Sequence, residues 1–170
     1  NPSELAEKIT GKQVKLVDNN GAPSGEKHFI IYNPPVINKQ LGIRKSAIKE
    51  AMNLAELFIR ERIQTIIFAH YRLQVEVLLS YLKERFAEPM DKNIKVAGYR
   101  GGYLPNQRRD IEQGLRNGTI TGVVSTNALE LGIDVGALDV SIIVGYPGSI
   151  SSVWQQAGRA GRRSSTSVTI

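Results

Sequence analysis

Short β-branched runs alternate with longer amphipathic segments along most of this chain, and this alternation constrains the fold more than any other feature. Each run is rich in apolar residues, mainly Ile and Val, and is bounded by turn residues or charges, as is typical of buried strands. The runs are TIIFA (65–69), IKVAG (94–98), GVVST (122–126) and DVSIIVG (139–145). Four strands of one sheet are therefore predicted.

The segments between these runs have the apolar spacing of helices. The first segment, residues 44–63, is predicted to place five apolar residues roughly on one face: Ile48, Met52, Ala55, Leu57 and Ile59. The second, residues 73–86, repeats apolar side chains at Val75, Leu78, Leu79, Leu82 and Phe86. In the third, Ile111 and Leu115 recur four residues apart. Alternating strands and helices imply parallel strands with right-handed crossovers. The predicted class is α/β, with a mainly parallel central sheet.

The two ends of the chain add edge elements to this prediction. Near the N-terminus, short strands are predicted at residues 13–17 and 27–32, joined by a loop around Asn20, Gly21 and Pro23. So short a piece buries little by itself, so we expect it to form an edge of the main sheet. The final SSTSVTI is predicted to begin another strand.

Composition bounds the class of protein and its partners. The 170 residues are 41% hydrophobic and carry a net charge of +6, which suits a single globular domain with a phosphate-bearing partner. The chain has no cysteine and two histidines, so thiolate chemistry and cysteine zinc sites are excluded, and no metal site is predicted. No apolar run approaches the roughly 20 residues of a membrane span. We expect a cytoplasmic protein without a membrane partner.

Polar residues lie at the end of the predicted strand at 122–126 and directly after it. In open parallel sheets, ligands bind at the carboxyl ends of the strands. Ser125 and Thr126 offer hydroxyl groups at the strand exit, and Asn127 is predicted to cap the turn ALEL. Gly132 and Asp134 come next. Each of these residues also has an ordinary structural interpretation, as a cap, a helix stop or a turn residue.

The segment QQAGRAGRR (155–163) concentrates glycine and arginine. A helix is predicted over residues 150–156, broken at Gly158, and Trp154 is predicted to pack within the protein. Arg159, Arg162 and Arg163 present fork-shaped donors suited to phosphate oxygens, although arginine runs are also common on solvated surfaces.

TIIFAHYR, VVSTNALELGIDV and QQAGRAGR, in this order, resemble motifs IV, V and VI of superfamily 2 helicases. GEKHFIIYNPP and GYPGSISSVWQQAGRAGRR narrow the resemblance to a RecQ-related subgroup of DNA helicases, the MrfA/YprA-like subgroup. The resemblance implies a RecA-like three-layer sandwich, with helices on both faces of the sheet. It assigns residues 1–40 to edge strands and a linker from a first domain, and residues 41–170 to the core of one helicase C-terminal domain, within a larger helicase.

In such helicases ATP and Mg²⁺ lie between two RecA-like domains and are held mainly by the first. This sequence has no GxxxxGK[ST] phosphate loop, so the isolated chain is expected to be inactive. By the resemblance, the catalytic residues are Arg159 and Arg162, which would approach the γ-phosphate, and Gln155, which would link the nucleotide site to the rest of the motif. The nucleotide-binding residues by the same resemblance are Gly132, Asp134 and Gly158.

The resemblance also implies that single-stranded or unwinding duplex DNA lies across both domains. Thr126 is the leading candidate for a phosphate contact, and Arg72 and Arg100 are further candidates, each of which is equally compatible with an ordinary surface arginine. A helix is expected to start at Pro105, with Leu104 in the capping position. The implied function is the second motor domain of an ATP-dependent DNA helicase of 3′-to-5′ polarity. An ATP-independent basic nucleic-acid-binding module and an RNA helicase domain are the alternatives.

Overall fold

A computed structural model describes residues 1–19, 21, 25–130, 135–136, 138–161 and 165–170. In these residues the helices are α1 (Pro2–Thr10), α2 (Ala47–Arg60), α3 (Arg72–Arg85), α4 (Pro105–Arg116) and α5 (Ile150–Ala157). The strands are β1 (Lys27–Phe29), β2 (Val36–Asn38), β3 (Ile43–Arg44), β4 (Thr65–Phe68), β5 (Val96–Tyr99), β6 (Gly122–Ser125), β7 (Val140–Ile143) and β8 (Ser167–Thr169). Short 3₁₀ turns occur at Pro89–Asp91 and Asn127–Leu129.

The described residues form one six-stranded sheet in the order β1-β8-β7-β4-β6-β5. Every pairing in this sheet is parallel, which confirms the predicted α/β class. Strand β4 lies between β6 and β7, and all residues of β4 and β6 are buried. All four predicted strands are present, with ends that differ from the predicted ranges by at most two residues.

Helices cover both faces of the sheet, and each face has its own apolar core. Helices α2 and α3 supply one core, packed on alternate residues of β4, β6 and β7: Ala55, Ile59, Val75, Leu78, Leu82, Ile67, Val124 and Ile142. On the other face, Leu115 of α4 and Leu129 of the turn after β6 pack on strand residues Ile66, Phe68, Tyr99 and Val123. The predicted face of α2 is wrong at Leu57, which is 65% exposed, because two residues along a helix rotate a side chain by about 200° from Ala55 and Ile59.

The N-terminal region departs from prediction in one element and agrees in another. Residues 13–17 form no strand, since they have no strand neighbour and Val17 remains 80% exposed. Helix α1, which was not predicted, begins after Asn1, whose side chain accepts a hydrogen bond from the Ser3 amide. Strand β1 pairs with β8 at the edge of the sheet, so the predicted edge strand and the predicted C-terminal strand are both confirmed.

Helix α4 begins at Pro105 with Leu104 in the capping position, as expected. Leucine has no side-chain acceptor, and instead the Gln107 side chain accepts a hydrogen bond from the Leu104 amide at 3.3 Å. Half of a capping box therefore replaces the missing hydroxyl cap. None of the helices in the described ranges has the length and apolar character that a membrane span requires.

Helix α3 offers a test of the core with a matched control. Leu78 is fully buried between α3 and the sheet, whereas Leu73 on the same helix is 74% exposed. We expect Leu78→Ala to lower the free energy of unfolding by about 2–5 kcal/mol, since it leaves a cavity. Leu73→Ala should change it by less than about 0.5 kcal/mol. Urea denaturation of the two variants checks this, and equal losses would contradict the observed packing.

Candidate functional site

The carboxyl ends of four neighbouring strands lie level at one edge of the sheet. The register pairs Phe68 at the end of β4 with Ser125 and Ile143, and pairs Ser125 with Tyr99. The loops that leave these strands therefore start side by side. This edge brings together the three candidate nucleic-acid contacts, Arg72 after β4, Arg100 after β5 and Thr126 after β6.

Thr126 caps the 3₁₀ turn that follows β6. Its Oγ1 accepts a hydrogen bond from the Ala128 amide at 3.4 Å, so the predicted cap at Asn127 is wrong by one residue. The Ser125 hydroxyl is fully buried and donates to the Thr126 carbonyl oxygen at 2.8 Å. The Ser125 hydroxyl is thus used internally, while the Thr126 hydroxyl, as an acceptor in its cap, keeps its own proton for donation.

The two candidate arginines differ in their surroundings. Arg72 is the exposed first residue of α3, and within the part of the chain that the structure describes it forms no hydrogen bond or ion pair. Arg100 donates through Nε to Glu76 Oε1 at 2.6 Å, and its guanidinium lies 4.8 Å from the centre of the Tyr103 ring. The hydrogen bond to Glu76 raises the pKa of Arg100, so the guanidinium is charged but partly occupied.

Helix α5 leads into the arginine and glycine segment. Ser149 caps its start by accepting from the Ser152 amide at 3.0 Å. The helix ends at Ala157 with Gly158 as its C-cap, which confirms the predicted break. Trp154 packs against Phe29 of β1, with ring centres 5.8 Å apart, but 63% of its surface stays exposed. It therefore anchors α5 to β1 and is not buried within the protein.

Arg159 is 4% exposed, and the backbone of the turn after β6 holds its guanidinium. Its Nε and Nη2 donate to the Glu130 carbonyl oxygen at 3.1 and 2.6 Å. The Glu130 carboxylate, in turn, accepts from Gln156 Nε2 at 3.0 Å, and both side chains are buried. Glu130 thus joins the segment that follows β6 to two residues of QQAGRAGR.

Sequence reasoning missed Glu130 and Gln156. Gln155, which was predicted as the linking glutamine, is half-buried, whereas its neighbour Gln156 makes the buried contact. The resemblance selected Gln155 by its position in the motif. Which of the two glutamine side chains faces Glu130 depends on the rotation of α5 about its axis, which the sequence does not give. Glu130 had one sequence signal, a single charge between Leu129 and Leu131 in an otherwise apolar stretch.

A small polar cavity of about 140 Å³ lies beside this contact at the carboxyl edge, lined in part by His70, Asn127, Glu130, Ser152 and Gln156. The Gln156 Oε1 atom is buried and accepts no hydrogen bond from any residue that the structure describes. Because Nε2 is committed to Glu130, this oxygen is an acceptor in need of a donor.

Gly161 closes the segment in a conformation that favours glycine. Its φ is +79°, and a Cβ there would collide with Ser167 Oγ. Its amide donates to the Leu138 carbonyl oxygen at 2.9 Å, which fixes the backbone two residues after Arg159. Of the remaining candidate residues, Gly132, Asp134, Arg162 and Arg163 lie outside the residues that the structure describes.

Comparison with known proteins gives consistent matches. Residues 48–164 match the family described as helicase conserved C-terminal domain. The ATP-dependent helicase YprA of Bacillus subtilis is 56% identical over 170 residues, which are 100% of this chain and 23% of YprA. A crystal structure of the DUF1998 helicase MrfA bound to DNA is 57% identical, with a TM-score of 0.89 over 100% of this chain and 23% of that chain.

MrfA bound to DNA and AMPPNP matches with a TM-score of 0.85 at 56% identity, over 100% of this chain and 23% of that one. The chain therefore spans less than a quarter of the length of these relatives. The parallel sheet with helices on both faces is the RecA-like fold of these helicase domains. The family match and the identity along the whole chain show that this chain belongs to the helicase C-terminal domain family of superfamily 2.

Proposed function

We propose that this chain is the second motor domain of an ATP-dependent DNA helicase of 3′-to-5′ polarity. The observation that carries the proposal is the double contact of Glu130 with Arg159 and Gln156. Glu130 lies four residues after Thr126, so one short turn connects the candidate DNA contact to the candidate nucleotide contact. Movement at either end of this turn is expected to reach the other end.

The nucleotide side suits a phosphate ligand chemically. Arginine stays charged at any physiological pH and presents several N–H donors, which match phosphate oxygens. We propose that Arg159 and Arg162 stabilise the charge that builds on the γ-phosphate, with Gln155 and Asp134 linking the nucleotide to this segment. Gly132 and Gly158 would let the backbone approach. ATP supplies the phosphoryl transfer that powers such a motor.

The burial of Arg159 defines its part in this proposal. Its two contacts with the Glu130 carbonyl fix the guanidinium in advance, so little ordering would be needed when the nucleotide approaches. Among the described residues, no three His, Asp or Glu side chains form a cluster suited to a metal ion. We propose that Mg²⁺ and most of ATP are held by a first RecA-like domain of the same polypeptide.

The nucleic-acid side is proposed to grip the DNA backbone. Thr126 would donate its hydroxyl proton to a phosphate oxygen, and Arg72 and Arg100 would supply charge from the neighbouring loops. The level carboxyl ends of β4, β5 and β6 support a continuous track for one strand. DNA is preferred to RNA because the DNA-bound MrfA structure is 57% identical to this chain.

The first prediction concerns hydrolysis in the polypeptide that joins this domain to a first RecA-like domain. We expect Arg162→Ala to lower the DNA-stimulated kcat for ATP by about 10³-fold or more, since an arginine finger acts mainly on the transition state. Arg109→Ala, at an exposed position on α4, is the control and should leave kcat unchanged. Unchanged hydrolysis in Arg162→Ala would instead favour a basic module that binds nucleic acid without ATP.

Arg159→Ala should give a different pattern from Arg162→Ala. It removes a buried guanidinium and leaves the Glu130 carbonyl without this donor, so we expect lower kcat together with a loss of about 1–3 kcal/mol in the free energy of unfolding. Steady-state kinetics and urea denaturation of the same preparation measure both effects. Full activity with reduced stability would assign Arg159 to folding alone.

A further prediction concerns the DNA track. Arg72→Ala should weaken binding of a fluorescent single-stranded DNA and reduce the magnitude of the salt slope, d log K/d log [salt], by about 0.7, as expected for one lost phosphate contact. The control is Lys92→Ala, because Lys92 is exposed before β5, at the opposite edge of the sheet. Equal salt slopes in the two variants would show that Arg72 makes no contact with the DNA backbone.

A further inference from the structure

Lys27 is an edge-strand residue that reaches the end of helix α5. It is the first residue of β1 and pairs in register with Ser167 of β8. Its Nζ donates to the carbonyl oxygens of Ala157 and Ala160, each at 2.8 Å. These carbonyls stand on either side of Gly158 and Arg159, so one ammonium group spans the turn that carries the buried arginine.

Leu138, which precedes β7, also fixes this turn. Ala160 forms a parallel bridge with Leu138, and the Gly161 amide donates to the Leu138 carbonyl. A Cβ on Gly161 would lie 3.3 Å from Lys27 Cε, so the lysine stem packs directly under the glycine. The backbone from 157 to 161 is therefore held by an ammonium group on one side and a strand-like bridge on the other.

The electrostatics of this contact are those of a helix C-terminus. The last carbonyls of a helix lack partners within the helix and carry partial negative charge, which a lysine ammonium neutralises. No carboxylate among the described residues forms an ion pair with Lys27, and partial burial lowers the pKa of its ammonium group. Among the described residues, the hydrogen-bond partners of this cation are therefore the backbone carbonyls of Ala157 and Ala160.

We propose that Lys27 is a positioning residue, which holds the backbone of residues 157–161, with Arg159 among them and Arg162 next in the sequence, in the arrangement needed for hydrolysis. This inference rests on the proposed function, because it assigns Lys27 to the same nucleotide site. Lys27 touches neither the nucleotide nor DNA in this proposal. It acts through the two carbonyls, and it connects the strand that precedes the core of the domain to the arginine segment.

Removal of the ammonium should affect the transition state more than nucleotide binding. A displacement of about 1 Å in a catalytic group can reduce the rate about 100-fold. In the polypeptide that includes a first RecA-like domain, we expect Lys27→Met to lower the DNA-stimulated kcat by about 10- to 100-fold, with the KM for ATP within about twofold. Lys27→Arg, which keeps the charge, should retain most of the activity.

The control is Lys39→Met, since Lys39 is an exposed lysine in the turn between β2 and β3. It removes the same charge without a contact to α5. A second arm uses the double variant Lys27→Met/Arg162→Ala. If Lys27 acts through the arginines, the double variant should be no slower than Arg162→Ala alone, because coupled residues give non-additive effects.

Hydrogen exchange measured by mass spectrometry gives a readout that does not depend on catalysis. Without ATP, Lys27→Met should speed exchange in a peptide that covers residues 157–161, and should leave peptides from β4 and β6 unchanged. Uniformly faster exchange, or unchanged exchange at 157–161, would overturn the inference. If the methionine variant does not fold, Lys27→Gln, which also lacks the ammonium group, tests the same point, and Lys27→Arg should leave exchange at 157–161 unchanged.

The outcomes separate the two proposals. If Arg162→Ala abolishes hydrolysis while Lys27→Met behaves as Lys39→Met does, the proposed function stands and the role of Lys27 is wrong. If Arg162→Ala has no effect, the proposed function fails, and the inference fails with it. If Lys27→Met lowers kcat and also raises the KM for ATP by a large factor, the variant has lost nucleotide binding, and this result would also overturn the positioning role.

Discussion

The parallel pairing of β4 with both β6 and β7 is the constraint on which the rest of this structure depends. Parallel strands in register end together, and here Phe68, Ser125 and Ile143 form one level edge. The segments that carry Arg72, Arg100 and Thr126 start from this edge, whereas α5 carries the chain back to the residues before β7, where Ala160 pairs with Leu138. Burial of every residue in β4 and β6 makes the edge rigid, so the loops are positioned by the sheet rather than by their own sequence.

Glu130 converts this shared edge into a connection between two segments. A buried guanidinium needs hydrogen-bond acceptors to offset the cost of losing water. The Glu130 carbonyl oxygen accepts from two N–H groups of Arg159. A buried carboxylate has the same need, and Gln156 meets part of it. Because one residue serves both partners, displacement of the turn after β6 disturbs the arginine segment, which is the physical basis for coupling DNA contact to hydrolysis in the proposed motor.

The edge strand β1 and its neighbour β8 also contact the arginine segment. Strand β1 has only three residues, but its first residue, Lys27, donates hydrogen bonds to two carbonyl oxygens at the end of α5 and just after it. Ser167 of β8 lies so close to Gly161 that a Cβ at this position would collide with its side chain. The arginine segment is therefore contacted by the side chains of Lys27 and Ser167 and by the backbone of Leu138.

The sequence by itself determined the strands β4 to β7, the helices between them, the break at Gly158 and the family, because these depend on local periodicity and on contiguous residues. It misjudged residues 13–17, where strand-like alternation has no neighbouring strand to pair with, and Leu57, where the direction of one side chain decides burial. Tertiary structure alone decided that Gln156 rather than Gln155 meets Glu130, and that Lys27 contacts a carbonyl 130 residues later in the chain. The physical reason is that such contacts depend on how separate elements are rotated and stacked, and no local pattern of residues encodes that arrangement.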